Sequence, residues 1–124
     1  MLREGLQYTC RLMVTPEQTA EQIGSGDLPV LATPAMLALM EHAAMLAVAE
    51  ALSEGQTTVG GYIESSHIKP TAVNREVTAT AILERIEGRK LYFQVSACEG
   101  EVVIGEGTHL RFVVDKVKFL SKLS

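Results

Sequence analysis

A chain of 124 residues, 47% hydrophobic and 21% charged, is sized for one domain, 1–124, with a buried core. Its net charge of −4 and pI near 5.3 exclude the basic footprint of a nucleic-acid-binding protein. The first residues, MLREGLQYTC, lack the apolar stretch of a signal peptide, and Cys10 and Cys98 have neither CxxC nor metal-ligand spacing. Reduced thiols in a cytoplasmic protein are therefore expected.

Residues 6–14 (LQYTCRLMV) mix β-branched and aromatic residues in alternation and predict a first strand, broken at Thr15-Pro16. The stretch 17–31 holds Gly24, Gly26 and Pro29 and reads as a loop, with a short helical turn around 16–23. Residues 33–52, TPAMLALMEHAAMLAVAEAL, predict one long helix of strong helix formers. Thr33 is placed to cap it, Pro34 suits its first position and Gly55 lies beyond its end. At 100° per residue, Leu37, Ala38, Glu41, Ala44, Met45, Val48 and Leu52 share a face, which sets one carboxylate inside an apolar stripe. Glu41, His42 and Glu50 interrupt the segment, so a buried helix and not a membrane span is expected.

Residues 57–68 (TTVGGYIESSHI) alternate after a glycine pair and give a second strand, ended by Pro70. In 75–87 the residues Val77, Ala79, Ala81 and Leu83 alternate on one side, and Glu87-Gly88-Arg89 forms a hairpin turn to a strand over 90–98. Glu99-Gly100 turns into a last strand over 101–114, where Gly105 or Gly107 marks a bulge or bend. The basic tail DKVKFLSKLS closes the chain as a short helix. The order predicts an α+β fold, a long central helix wrapped by a curved antiparallel sheet of about five strands. A single layer of this kind leaves an edge and a face open, so a homodimer is expected, with further pairing to a tetramer left open.

A carboxylate on a buried helix is costly unless it is paired, hydrogen-bonded or protonated. Thr33 and Glu41 lie about 12 Å apart along the axis and roughly 80° around it, so they border one cavity without touching. His67, at the end of the second strand, is the one evident general base near pH 7 within reach. From spacing alone, a Glu41 bonded to a backbone amide and a surface His67 remain an alternative. His42 and His109 read as structural, and Met36, Met40 and Met45 as core. Arg111, Lys69 and Lys116 are candidates for meeting phosphates.

The stretches ATPAMLALMEHAA, VGGYIESSHIKPT and GEGTHLRFVVDKVKF resemble the fluoroacetyl-coenzyme A thioesterase-like family, a branch of the hot-dog fold. The likeness runs from about Thr33 to Phe119 and rests on a Thr and Glu eight apart, then a Gly and His seven apart. It implies a catalytic set of Thr33, Glu41 and His67, and a substrate-binding Gly60 where the ligand approaches the backbone. Ala72-Val73-Asn74 replaces the Pro-Val-Gly turn common in that family, and Asn tolerates the left-handed geometry required. Gly61 stands where a bulkier residue is expected, implying a wider pocket wall, and Arg111 is assigned to the substrate site. The implied reaction is hydrolysis of a small acyl-coenzyme A thioester, with coenzyme A as part of the substrate and neither cofactor nor metal called for. Thr33 serves either as nucleophile or as positioner of water. The alternatives are a hot-dog enoyl hydratase or dehydratase, against which Thr33 argues, and a non-catalytic acyl-CoA-binding protein.

Overall fold

The computed structural model describes residues 1–123; Ser124, the last residue of the basic tail, lies outside the described residues. The chain forms β1 (Gln7–Met13), a 3-10 turn (Pro16–Gln18), α1 (Ala20–Ile23), α2 (Thr33–Ala49), β2 (Gln56–Ser65), β3 (Glu76–Glu87), β4 (Lys90–Glu99), β5 (Val102–Asp115) and α3 (Lys116–Ser121). The five strands make one antiparallel sheet in the order β1-β3-β4-β5-β2, and α2 packs chiefly across β1 and β3. The α+β architecture expected from the strand and helix order is the one observed.

The alternation in β3 and β4 does the inward sorting. Val77, Ala79, Ala81 and Leu83 face the helix, as do Leu91, Phe93, Val95 and Ala97, all essentially without solvent contact. Each large side chain buried this way contributes on the order of 1.5–3 kcal/mol. Against them α2 sets Met36, Leu39, Met40, Ala43, Ala44 and Val48. Met36 and Met40 are thus core, as expected, while Met45 is only half-buried.

Two expectations about α2 are corrected. The buried face overlaps the one through Glu41 only at its margin: Ala44 and Val48 of that stripe are buried, but Leu37, Glu41, Met45 and Leu52 are half-buried and Ala38 is exposed. A helix that is apolar all round offers no periodic contrast to say which side a sheet will take. The sheet takes the side where Ala43 and Ala44 let the backbones come close. The helix also begins one residue earlier than a Thr33 cap would set it. Ala32 occupies the capping position, and its carbonyl accepts from the Ala35 and Met36 amides. Thr33 is the first helical residue, which frees its hydroxyl for another partner.

Asn74 turns the chain into β3 at φ 73°, the left-handed geometry anticipated for it, and its amide donates to the Val14 carbonyl. The register of β2 on β5 slips between Gly60 and Tyr62, so that Gly61 is the extra residue of a bulge. Among the described residues β2 is hydrogen-bonded only to β5, and its other side is a sheet edge.

Candidate active site

The residues that converge at the start of α2 are delivered by backbone pairing. The Leu31 amide donates to the Thr71 carbonyl at 2.8 Å and the Ala32 amide to the Gln18 carbonyl at 2.9 Å, fixing the approach to the helix. Past the end of β2, the Ser66 and Ile68 amides donate to the Glu106 and Ile104 carbonyls at 3.0 and 2.7 Å. His67 lies between these two anchors. Gly105 makes this close crossing possible, since a Cβ there would overlap the Ser66 carbonyl and sit 3.0 Å from the Met36 thioether. Here the glycine expected to mark a bend is required for space.

The result is a direct contact. Thr33 Oγ1 lies 2.7 Å from His67 Nδ1. The other ring nitrogen, Nε2, is buried and has no hydrogen-bond partner among the described residues. Burial lowers the His67 pKa, which keeps the ring a neutral base at pH 7. The amino end of α2 adds a partial positive charge beside the Thr33 hydroxyl. A cleft of about 270 Å³ opens next to the pair, lined by Val30, Leu31, Thr33, His67 and Ile68, with Lys69 also on its wall.

Glu41 is not part of this contact. Its carboxylate reaches the inner face of β2 instead, where Oε2 lies 2.8 Å from the position a Cβ on Gly60 would occupy. Arg111 stands opposite Gly60 in the β2–β5 register, and its Nη1 is 3.7 Å from the same empty position. The guanidinium is buried and donates to the Thr58 hydroxyl (2.8 Å), the Thr58 carbonyl (2.9 Å) and His109 Nε2 (3.2 Å). The structure thus separates the sequence candidates into two groups, Thr33 with His67 and Glu41 with Gly60 and Arg111. Arg111 is 6% exposed, which places it inside the sheet and away from any surface phosphate. Gly61 does not widen a pocket wall, because a Cβ there would overlap the Phe112 ring. His42 and Lys116 are exposed and join neither group.

Thr58 carries no signal of its own in the sequence, and His109, expected to be structural, joins the Arg111 network. The signal was present in the alternation of GTHLRFV: His109 and Arg111 fall in the inward phase with Val113, two polar side chains where a core strand has apolar ones. Polar groups at such positions need partners, and these two supply one another's.

The empty side of Gly60 has a direct consequence. Gly60→Ala is expected to fold normally, because the atom its methyl meets is the mobile end of Glu41, and to lose activity by about 10²-fold as that carboxylate is displaced. Thermal unfolding together with kcat/KM checks this; an alanine variant of unchanged activity would remove the Gly60–Glu41 gap from the site.

A model of the fluoroacetyl-CoA-specific thioesterase family matches residues 14–117. The chain belongs to that family. Within the fluoroacetyl-CoA-specific thioesterases, it is 36% identical to the fluoroacetyl-CoA thioesterase of Streptantibioticus cattleyicolor, over 98% of this chain and 92% of that one. The fold superposes on a solved variant of the fluoroacetyl-CoA thioesterase in complex with acetyl-CoA, with a TM-score of 0.92 at 34% identity, covering 98% of this chain and 96% of the other. A thioesterase superfamily member from Thermus thermophilus gives 0.90 at 30% identity over 98% and 90% of the two chains. A hot-dog-like protein from Thermanaerovibrio acidaminovorans gives 0.88 at 21% identity over 98% and 90%, which shows the hot-dog fold. As a member of this thioesterase family the chain is a thioester hydrolase, and the resemblance carried by its motifs is borne out.

Proposed function

We propose that this chain hydrolyses the thioester of a small acyl-coenzyme A as a homodimer, with Thr33 as nucleophile, His67 as general base and Glu41 as the carboxylate that steadies the imidazolium. The observation that carries the reading is the 2.7 Å contact between Thr33 Oγ1 and His67 Nδ1, a nucleophile held against its base. For the Thr33 proton to move to Nδ1, that nitrogen must hold its lone pair, so Nε2 carries the hydrogen. That N–H is buried and unanswered among the described residues. A carboxylate beyond it would orient the ring and stabilise its charged form, the logic shared by hydrolytic triads.

Glu41 of the same chain is turned to Gly60, so the carboxylate that completes the set comes from a second copy. Two features support such a pair. The outward face of α2 carries Pro34, Leu37, Ala38 and Met45, an apolar strip with Glu41 on it. The free edge of β2 offers unpaired backbone groups beside the same strip. Two antiparallel copies of α2 would set Thr33 and His67 of one chain facing Glu41, Gly60 and Arg111 of the other. Catalysis then begins as Thr33 attacks the thioester carbon and His67 takes its proton. The carbonyl oxygen, as it gains negative charge, is held by backbone amides at the start of α2 or near Gly60. His67 returns the proton to the departing coenzyme A thiolate, and water, activated by the same ring, releases the acid from Thr33. Lys69 beside the cleft meets the coenzyme. The acyl-coenzyme A is the only small-molecule partner this chemistry needs, and its supply fits a cytoplasmic setting.

The acyl group falls in the small class, as in the fluoroacetyl-CoA and acetyl-CoA of the relatives' names. Thiol release from a panel of short, branched and aromatic acyl-CoAs is expected to be strongest for the shortest. Binding without release from any of them would replace this reading by that of an acyl-CoA binder. The shared site has its own test. Thr33→Ala and Glu41→Gln chains, each nearly inactive alone, are expected to regain about a quarter of wild-type activity when refolded together in equal amounts. Half of the random dimers are then mixed, each with one intact site of two. No recovery would place all three residues in one chain.

A further inference from the structure

Beyond the catalytic set, β5 buries a histidine that the mechanism leaves unused. His109 is 2% exposed and sits between two neighbours that leave it no choice of protonation. Its Nδ1 is 2.7 Å from the Tyr62 carbonyl oxygen, which can only accept, so Nδ1 carries the hydrogen. Its Nε2 is 3.2 Å from Arg111 Nη1, which can only donate, so Nε2 carries the lone pair. A doubly protonated ring would set one N–H against another. The Phe93 ring, with its centroid 6.1 Å from the His109 ring, closes the remaining side.

The Tyr62 carbonyl is available because of the bulge. Gly61 is the unpaired residue between Gly60 and Tyr62, and it breaks the regular ladder in front of His109. The ring therefore ties the bulged strand carrying Gly60 to the guanidinium facing Gly60. Thr58 holds Arg111 from one side through two acceptors, its hydroxyl and its carbonyl, and His109 holds it from the other. Two of the five guanidinium hydrogens remain uncommitted, and Nη1 is the nitrogen nearer the gap between Gly60 and Glu41.

We propose that His109 is a positioning residue: as the Nδ1–H tautomer it locks Arg111 in one orientation at the Gly60–Glu41 gap, so that the guanidinium meets the acyl end of the substrate. The inference rests on the thioesterase reading for its substrate, but the lock itself does not. Burial is the largest influence on the ring and lowers its pKa; the Tyr62 carbonyl raises it, Arg111 lowers it and Glu41 on α2 raises it. Those two are the charged groups acting on the ring, since β2 brings the Tyr62 carbonyl and β4 the Phe93 ring.

Two measurements on the wild-type protein and three variants test this. Nitrogen-15 NMR of the wild-type ring is expected to show a neutral Nδ1–H histidine at pH 7, with a slowly exchanging Arg111 Nε–H. His109→Phe keeps the ring shape but removes the acceptor, and is expected to lose about 30-fold in kcat/KM, mostly in kcat, with inhibition by free coenzyme A unchanged. His109→Gln restores an acceptor for Arg111 and is expected to recover to within about fivefold of wild type. A ring protonated on Nε2, or a folded His109→Phe within about twofold of wild type, would overturn the lock. Should the phenylalanine variant not fold, a glutamine variant as impaired as Arg111→Met overturns it equally. A wild-type protein that releases no thiol refutes the thioesterase reading instead, and the NMR result still judges the lock.

Discussion

His67→Ala is expected to lower kcat on the order of 10³-fold, about 4 kcal/mol of lost transition-state stabilisation, with the fold intact. The ring is half-buried and its hydrogen bond to Thr33 lies at the surface, so its removal leaves no buried group newly unpaired. The effect should appear in kcat more than in KM, because proton transfer matters only as the tetrahedral intermediate forms. The pH profile identifies the base. Burial alone depresses the His67 pKa from its ordinary 6.5, so activity that depends on the neutral ring persists below that pH and falls as the ring takes up a proton. A carboxylate on Nε2 favours the charged ring and moves that fall to higher pH. Glu41→Gln removes the carboxylate and leaves burial unopposed. Its acid limb is therefore expected below pH 6.5 and below that of wild type, alongside a loss in kcat larger than the rise in KM. Identical acid limbs in the two proteins would free His67 from Glu41.

Thr33→Ala is expected to lose about 10³-fold in kcat, and Thr33→Ser to stay within about tenfold of wild type. The serine variant keeps the hydroxyl at the first helical position, where it can still contact His67 Nδ1. The cost of serine is orientation: threonine's β-branch restricts χ1 in a helix, and serine lacks it. Intact-protein mass spectra of acid-quenched turnover are expected to show an acyl adduct on wild type and none on Thr33→Ala. An alanine variant with near-wild-type turnover would exclude Thr33 as nucleophile and leave water, activated by His67, as the attacking group.

Much of this fold is legible in the chain because its signals are local. The inward alternation of Val77, Ala79, Ala81 and Leu83 and the hairpin glycines at 88 and 100 define the β3–β4–β5 meander. Pro34 beside a run of Ala, Leu and Met defines α2. The Thr33–His67 pair follows from the family spacing, though not from periodicity. What the chain conceals is direction. Glu41 lies in an apolar helix with no polar face, so its phase relative to the sheet depends on which side packs closest, a tertiary outcome. The Thr58–His109–Arg111 network is hidden for a related reason. Its members are 51 and 2 residues apart along the chain, and only the β2–β5 register brings them together. Arg111 reads as a candidate for meeting phosphates because arginine is seldom buried, and its place inside the sheet has no local signal.

The bulge at Gly61 has a consequence for how this pocket is able to change over time. The Phe112 ring lies across the face of Gly61, in the volume a side chain at that position would fill. Positions 61 and 112 therefore behave as a single site with one ring's worth of room to divide between two strands. Bulk gained at 61 has to be met by a shift or a trimming of the half-buried Phe112 ring. The surface of the sheet beside Gly60 is in this sense shared by two strands, and a side chain placed at 61 is accommodated only with a change at Phe112.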